Sequence, residues 1–436
     1  MKTFTFRKCV YKTLSLFFLI LFFVANAHSQ DAQKEVMVIT ISGVINPVAA
    51  EYIGKSIKRA NEQKVEALII ELDTPGGLET SMRKIVKDII GSEVPVVVFV
   101  SPSGSRAASA GAFITLAAHI AAMAPGTNIG AAHPVGLGEK MDKTMIEKAT
   151  NDAAAYIKSI AERRGKNVKW AEDAVRKSIS ATESEALKEN VIDLVVSDLN
   201  ALLSEIDGKK VQTILGERVL NTKGAKIIRE EMGIRHKILN LISDPNIAYI
   251  LMLLGFYGLF FELTNPGSLF PGIIGGICLI LAFYAFQTLP VNYAGLLLII
   301  LAIILFILEV KIVSHGILTI GGIIAMIIGS LMLFESPAPF MKLSLSIILP
   351  AVVITALFFS LTLGLAFKAY KRKPVTGVEG LIAEKGIADT DITRDGGMVL
   401  LHGERWSAYS DEPISRGEKI VVEAVSGLKV KVRKSG

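Results

Sequence analysis

Cysteine is scarce in this chain of 436 residues, which contains only Cys9 and Cys278. Cys9 falls in a stretch with the features of a secretory signal, and Cys278 falls in a long apolar run. The mature chain then keeps a single cysteine, which excludes an intrachain disulfide. Because Cys–His metal spacing is also missing, we expect no structural zinc site.

A strong charge of one sign is lacking as well. Lys and Arg total 47 against 41 Asp and Glu, which gives a net charge of +6, and aromatic residues make up 7%. The excess positive charge forms no stripe interleaved with aromatics, so we expect no nucleic-acid binding. Apolar residues, in contrast, reach 51% with a mean hydropathy of +0.48. That excess predicts membrane spans.

Residues 1–30 have the pattern of a secretory signal peptide. Four basic residues precede an apolar core at 14–24, and Ala25-Asn26-Ala27 is a small-x-small cleavage site. The alternative is an uncleaved anchor. Under both interpretations, the chain that follows is carried across the membrane.

Residues 31–242 are predicted to form an α/β domain with a buried parallel sheet, because apolar β-like runs alternate there with helical patterns. Asn46 is a candidate N-cap and Pro47 the first helical residue. Residues 208–245 are interpreted as an elaboration and a connecting helix. The predicted strands are 36–41, 67–72 and 95–100, and the predicted helices are 47–61, 81–90 and 112–118.

A transmembrane bundle is predicted over residues 243–370. Its apolar runs lie at 247–263, 269–287, 292–309, 314–334 and 344–367, each close to the length of a spanning helix. Five spans carry the chain from outside to inside, which leaves the basic flank at 368–373 in the cytoplasm. Four spans, the alternative count, would violate that rule.

Within the bundle, small residues spaced by four predict close helix packing, at Gly321, Ala325 and Gly329 and again at Gly272 and Gly276. Glu262 and Glu309 lie near span ends, and we interpret them as structural residues rather than as part of an ion path. A transporter would need polar residues in mid-span, and few are present.

The tail at 375–436 predicts a small β-barrel of the OB type, because five short β-like runs alternate with turns. Trp406 and Tyr409 are the only aromatic residues that could stack on bases. A protein-contact module is therefore favoured over an oligonucleotide reader. The predicted strands are 380–387, 397–401, 404–408, 419–425 and 428–432.

The stretch around Ser109 carries the strongest chemical signal. Ser109 stands between Ala108 and Ala110 at a strand–turn–helix junction, where a serine hydroxyl can lie over a helix N-terminus. The backbone N–H after the serine can point at an oxyanion. The plainer interpretation is a helix start capped by a serine.

A second element is Asp73-Thr74-Pro75-Gly76-Gly77, which ends a buried strand and exposes backbone amides in a glycine turn. It could form the other wall of an oxyanion hole, or it could be an ordinary β-to-α turn.

A nucleophilic serine also needs a base, and the candidates are Lys148, Lys158, His119 and His133. Lys148 is predicted at the entry to a helix and serves as a base only if desolvation lowers its pKa. We interpret Lys158 as a surface residue and His119 as a structural one.

These motifs together resemble the NfeD family of membrane-bound serine proteases, the partners of stomatin-like proteins. The resemblance covers nearly the whole mature chain. It implies a Clp/crotonase-like protease domain, a membrane bundle and an OB-like C-terminal domain. The matching segments are 73–77, 107–111, 122–131, 156–159, 255–267 and 403–406.

Carried over by position, the resemblance makes Ser109 the nucleophile and Lys148 its base. The oxyanion amides would be those of Ala110 and of Gly76 or Gly77, with Gly77 preferred. No metal or cofactor is implied.

His133 is the competing base, because it stands where soluble Clp-type proteases carry their histidine. The third member of such a triad would fall near Ser178, where no carboxylate is present. A histidine without an orienting carboxylate is a much weaker base in this role, so Lys148 is preferred. The third possibility is an inactive enzyme.

The predicted function is an integral membrane serine endopeptidase of the cell (inner) membrane, with its protease domain outside the cytoplasm and its C-terminal domain inside. By resemblance, it cleaves apolar segments of a stomatin- or prohibitin-like membrane protein and forms a homodimer or a larger homo-oligomer. The main alternative is an inactive membrane scaffold that organises such partners.

Overall fold

A computed structural model describes residues 34–135, 142–264, 267, 269–312, 314, 316–336, 341–370 and 380–435. The predicted signal peptide lies outside these residues. The chain divides into two compact units, one ending at Leu301 and including Ile324–Ala351, the other comprising Ala302–Ile323 and Val352–Gly436.

The first unit begins with the α/β domain that the sequence predicts. Its strands are β1 (Glu35–Ser42), β2 (Ala67–Asp73), β3 (Val96–Val100), β4 (Arg106–Ala108), β5 (Ile120–Met123), β6 (Asn128–Gly130), β7 (Ser180–Thr182), β8 (Leu194–Val195), β9 (Lys210–Thr213), β10 (Gly216–Val219) and β11 (Lys226–Arg229). Its helices are α1 (Pro47–Gln63), α2 (Glu79–Ile90), α3 (Ala110–Ala117), α4 (Lys143–Arg164), α5 (Val168–Arg176), α6 (Glu183–Lys188), α7 (Leu199–Glu205) and α8 (Ile234–Ile242).

Six strands form the central sheet in the order β11-β1-β2-β3-β5-β8, and every pairing is parallel. All five residues of β3 are buried, as expected for a strand covered on both faces. Alternate residues of β1 supply the two faces: Met37 and Ile39 join the larger core, and Val36 and Val38 join the smaller one. The prediction of a buried parallel sheet is confirmed.

Local signals predict the start of α1 correctly. The side-chain oxygen of Asn46 accepts a hydrogen bond from the backbone N–H of Ala49 at 2.9 Å, and Pro47 is the first helical residue. The region after residue 208 is more than an elaboration, because β11 is an edge strand of the central sheet and pairs with β1. The hairpin of β9 and β10 precedes it.

Five apolar helices follow among the described residues, one at each of the five apolar runs of the sequence. Two of them, over Pro245–Leu263 and Leu269–Phe286, are long and apolar enough to cross a membrane; three shorter apolar stretches cover Tyr293–Glu309, Ile317–Leu333 and Leu345–Leu361. The full helices are α9 (Pro245–Thr264), α10 (Leu269–Phe286), α11 (Tyr293–Lys311), α12 (Ile317–Leu333) and α13 (Leu345–Tyr370).

Glycine allows close helix packing here, in part through the predicted residues. A Cβ on Gly329 would lie 2.8 Å from the carbonyl oxygen of Gly295, and a Cβ on Gly272 would meet the carboxylate of Glu262 on α9. Gly276 has open space around its Cα, so its predicted part in this packing is wrong.

Sequence reasoning did not single out the closest approach of α9 and α10. A Cβ on Gly258 would lie 2.7 Å from the Cα of Gly275, so these two helices touch backbone to backbone.

Glu309 has the structural role that the sequence predicts. It is buried, and its carboxylate accepts hydrogen bonds from the Ser314 hydroxyl at 2.6 Å and from the backbone N–H groups of Gly316 at 3.0 Å and Thr319 at 2.9 Å. These donors lie at the start of α12, where backbone N–H groups lack helical partners. Glu309 thus caps the next helix of its own unit.

The C-terminal residues form a closed five-stranded barrel in the order β12-β13-β14-β16-β15. The strands are β12 (Lys385–Ala388), β13 (Gly397–Leu401), β14 (Glu404–Tyr409), β15 (Lys419–Ser426) and β16 (Lys429–Lys434). The first strand is shorter than predicted, because a turn with Ala383 at φ 69° precedes it. Trp406 packs against the barrel core, which is consistent with an OB-like module without a stacking platform.

Candidate active site

Ser109 lies at a sharp junction between β4 and α3. Its φ of 52° and ψ of −113° are strained for a residue with a side chain. The backbone N–H of Ser109 donates to the carbonyl oxygen of Gly130 at 2.8 Å, which holds the junction against β6. The Ser109 side chain makes no capping hydrogen bond to α3. The helix-cap interpretation of this serine is therefore wrong.

The glycine turn after β2 lies directly against this serine. Thr74 exchanges backbone hydrogen bonds with β4, from its N–H to the carbonyl oxygen of Arg106 at 2.7 Å and from the N–H of Ala108 to its own carbonyl oxygen at 3.1 Å. A Cβ on Gly76 would lie 2.7 Å from the Cβ of Ser109 and 3.2 Å from its Oγ. The structure thus brings together the two motifs that the sequence singled out.

The two glycines of the turn differ in what their amides can do. The N–H of Gly76 donates to the hydroxyl of Thr74 at 3.0 Å, so it is already engaged. Within the described residues, the N–H groups of Gly77 and Ala110 have no acceptor. An oxyanion hole needs unengaged donors aimed at the developing charge, so the geometry favours Gly77 and Ala110 over Gly76.

Ile45 holds the turn from the other side. Its N–H donates to the carbonyl oxygen of Gly76 at 2.9 Å, and its carbonyl oxygen accepts from the N–H of Leu78 at 2.8 Å. A Cβ on Gly77 would lie 2.2 Å from the carbonyl oxygen of Ile45, so only glycine fits at this position. Sequence reasoning missed Ile45 and gave Gly130 no role beyond its place in a matching segment, because backbone contacts between distant segments leave no local signal.

Lys148 is the sixth residue of α4, not at the helix entry where the sequence placed it, and it is exposed. It shares a helix face with Asp152 and Tyr156, because the three are spaced by four residues. That face turns toward α2: the guanidinium of Arg83 lies 4.4 Å from the Tyr156 ring centroid and also pairs with Asp152. Lys148 therefore lies on the face of α4 that turns toward α2. No hydrogen bond joins Lys148 to Ser109 among the described residues.

The other candidate bases lack an orienting carboxylate, are too weakly basic or are paired with another residue. The Nδ1 of His133 lies 2.9 Å from the carbonyl oxygen of Val175, and no carboxylate partner of His133 is found among the described residues. Burial lowers the pKa of His119 to about 3, which makes that imidazole too weak a base, and its Nδ1 accepts from the N–H of Val96. Lys158 pairs with Glu172 at 3.3 Å. The structural role of His119 and the surface role of Lys158 are confirmed.

Comparison with known proteins gives this geometry a context. Residues 35–229 match the N-terminal domain of NfeD1b, residues 246–365 match the NfeD integral membrane domain, and residues 378–434 match the NfeD-like C-terminal, partner-binding domain. The membrane-bound protease PH1510 of Pyrococcus horikoshii is 37% identical over 93% of this chain and 95% of its own length. The chain belongs to the NfeD family. Membrane protein NfeD1b of Bacillus subtilis is 28% identical over 95% of this chain and 96% of its own.

Solved structures of a family member resemble the N-terminal part of this NfeD chain. One is the 1510-N membrane protease specific for a stomatin homolog from Pyrococcus horikoshii, 37% identical over 49% of this chain and 100% of its own, with a TM-score of 0.44. Another is a lysine-to-alanine variant of the 1510-N membrane-bound stomatin-specific protease in complex with a substrate peptide. It is 36% identical over 48% of this chain and 97% of its own, with a TM-score of 0.45.

Proposed function

We propose that this NfeD chain is an integral membrane serine endopeptidase in which Ser109 is the nucleophile and Lys148 its base. The observation that carries the proposal is the backbone at Ser109. A strained φ of 52° turns the serine side chain away from capping α3, beside the glycine turn and the free N–H of Ala110. Strain of this kind persists where surrounding contacts hold it, and it clusters at active sites.

The reaction follows from these positions. The neutral amine of Lys148 accepts the proton of the Ser109 hydroxyl as Oγ attacks a peptide carbonyl carbon. The N–H groups of Gly77 and Ala110 stabilise the oxyanion. Lys148 then protonates the leaving amine as the C–N bond breaks, which leaves an acyl ester on Ser109. Finally, Lys148 takes a proton from water as its oxygen attacks the ester carbon, the bond from that carbon to the Ser109 Oγ breaks, and Lys148 returns the proton to Oγ, which releases the peptide with a new C-terminal carboxyl group.

The exposure of Lys148 sets one requirement on this mechanism. A lysine in water is protonated, and the neutral amine is favoured only when solvent is excluded from it. An apolar substrate segment that covers the face of α4 beside Asp152 would exclude that water. This requirement supports a substrate whose cleaved segment is apolar.

The domain limits and partners are part of the same proposal. A signal peptide at 1–30 precedes a protease domain at 31–242, a membrane bundle at 243–370 and a partner-binding barrel at 375–436. The protease domain lies outside the cytoplasm and the barrel inside. The substrate is a stomatin-like membrane protein, because the related 1510-N protease is specific for a stomatin homolog. The chain acts as a homodimer or larger homo-oligomer.

Substitution of Ser109 tests the proposal. The full chain is reconstituted in lipid vesicles with an apolar peptide from a stomatin-like protein. Ser109→Ala is expected to lower cleavage by at least about a thousandfold, because the nucleophile that forms the acyl ester is lost. Cleavage is followed by mass spectrometry, and acylation by labelling with a fluorophosphonate.

Ser103→Ala is the matched control, since Ser103 is an exposed serine of the same segment. It is expected to keep full cleavage and labelling. If the wild-type chain is folded but neither cleaves nor is labelled, also with the full-length stomatin-like protein, the proposal fails and the inactive scaffold becomes the better interpretation.

A further inference from the structure

Helix α8 joins the protease domain to the first membrane helix, and its two sides differ sharply. It contacts α1 on the protease side and α9 and α10 in the membrane bundle. Only Ser243 and Asp244 separate its end from Pro245, where α9 begins. Any surface on α8 therefore lies within a few residues of the start of a membrane helix.

The inner side of α8 is fixed by polar and aromatic contacts with α1. The side-chain oxygen of Asn240 accepts a hydrogen bond from the Asn46 amide at 2.8 Å. The ring of His236 lies 6.3 Å from that of Tyr52, and its Nε2 lies 3.6 Å from a carboxylate oxygen of Glu51. These contacts determine how the helix is rotated about its axis.

The outer side of α8 is apolar and uncovered. Ile234, Ile238 and Leu241 are 79%, 50% and 59% exposed. Their spacing of four and three residues places them on one face, which we call the α8 stripe. Leaving three large aliphatic side chains in water on one helix is unfavourable unless another surface covers them.

Position and charge indicate what covers the α8 stripe. Arg235 and Lys237 are exposed and adjoin the stripe in sequence, with Lys237 paired to Glu231 at 2.7 Å. Cationic side chains beside an apolar stripe are typical of a helix that lies in the headgroup region of a bilayer. Ile250 and Leu254 on α9 are also exposed, so the membrane helix that follows α8 carries uncovered apolar side chains in its first turns.

A second copy of the chain is a weaker candidate for this face. A helix of nine residues is only about 14 Å long. A stable protein interface buries roughly 800 Å² on each partner, which three aliphatic side chains do not provide.

We propose that α8 is an interfacial helix whose stripe of Ile234, Ile238 and Leu241 is buried at the headgroup boundary of the lipid bilayer. The protease domain is then held against the membrane surface by α8 as well as by its connection to α9. The proposal concerns a lipid surface and does not depend on protease activity.

Fluorescence quenching by lipids tests the α8 stripe. The full chain with Cys9→Ser and Cys278→Ala carries one new cysteine, Ile238→Cys, labelled with bimane and reconstituted in nanodiscs with one chain each. Nitroxide-labelled phosphatidylcholine is expected to quench this label about threefold more strongly than a label at Leu187→Cys, because only Ile238 lies in the bilayer boundary. Leu187 is the matched control, an exposed aliphatic residue on α6.

Circular dichroism and gel filtration establish that both labelled chains are folded. Quenching of the Ile238 label no stronger than that of the Leu187 label would overturn the proposal. In larger nanodiscs that hold two chains, a bimane label at Ile238 that is quenched by a spin label on the second chain but not by nitroxide-labelled lipid would assign the stripe to another copy and would overturn the proposal as well.

A separate observation on α8 concerns the reaction and rests on the proposed function. Asn240 bonds to Asn46, and the residue before Asn46 is Ile45, whose backbone holds both Gly76 and Leu78. Asn46 is buried, and its side-chain oxygen also caps α1. Its orientation is therefore set from two sides, and it fixes the segment that holds the glycine turn.

We infer that Asn240 is a positioning residue that acts through Asn46 and Ile45 on the N–H of Gly77. Loss of its acceptor oxygen loosens the turn where the oxyanion forms, while the peptide-binding surface is unchanged. Asn240→Leu is expected to lower kcat about tenfold and to change KM less than about twofold, because the affected contact is made in the transition state.

Asn240→Asp is the conservative variant, because it keeps an oxygen that accepts from the Asn46 amide, and it is expected to retain nearly the wild-type kcat. Equal kcat in Asn240→Leu and the wild type, or an equal loss in Asn240→Asp, would overturn the inference. The absence of turnover in the wild type would instead count against the proposed function, so the two failures are distinguishable.

Discussion

Replacement of Lys148 by methionine is expected to lower kcat/KM by about a thousandfold while leaving the fold intact. General-base catalysis contributes roughly 10²–10⁴ to such reactions, and Lys148 is exposed, so no buried contact is lost with its amine. Peptide cleavage by the reconstituted full chain is the measurement. Thermal unfolding is expected to be unchanged.

Two control variants distinguish the role of Lys148 from that of a neighbouring lysine and from that of His133. Lys143→Met removes an exposed lysine from the first turn of the same helix and is expected to have no effect. His133→Gln is expected to retain activity, because no carboxylate orients His133 among the described residues. Loss of activity in His133→Gln and survival in Lys148→Met would make His133 the base.

Gly76→Ala is expected to lower kcat about a hundredfold. The new methyl group would lie 2.7 Å from the Cβ of Ser109 and 3.2 Å from its Oγ, so either the serine or the glycine turn must move. Displacement of the turn also moves the N–H of Gly77, and loss of one oxyanion donor costs about 10²–10³ in kcat. Labelling by a fluorophosphonate measures the same loss at the acylation step.

The effect of backbone strain at Gly76 must be distinguished from the effect of the new methyl group on Ser109. Gly76 has a φ of +120°, which disfavours alanine at any position, at a cost of about 1–3 kcal/mol. Gly216→Ala is the matched control, because Gly216 has a φ of +114° and no atom within 4 Å of the added methyl. It is expected to lower thermal stability similarly and to leave kcat unchanged. Equal activity losses in the two variants would indicate strain rather than contact with Ser109.

Local patterns predict much of the fold. The apolar run at Val96–Val100 is a buried strand, and the cap at Asn46 starts α1. Five apolar helices and a five-stranded barrel follow as expected. Such features depend on residues close in sequence, because hydrophobic periodicity and capping act within one element.

Pairing between distant segments is harder to predict. Residues Lys226–Arg229 form an edge strand beside β1, but only one of the four is even partly buried. An exposed edge strand carries no alternating pattern, so its sequence resembles a loop. The short strand β4 escapes prediction because it exists through backbone bonds to β6 and to Thr74, which are distant in sequence.

The same difference between local patterns and contacts among distant segments applies to the candidate site. The sequence alone determined which residue types are available: a serine among small neighbours, a glycine turn after a buried strand, and a lysine on the following helix. Only the tertiary structure decided that Ser109 does not cap α3 and that the amide of Gly76 is engaged by Thr74. The tertiary structure also determined that the Lys148 side chain is exposed to solvent. Residue identity limits the chemistry, but whether a hydroxyl, an amide or an amine is free depends on neighbours that only folding brings into contact.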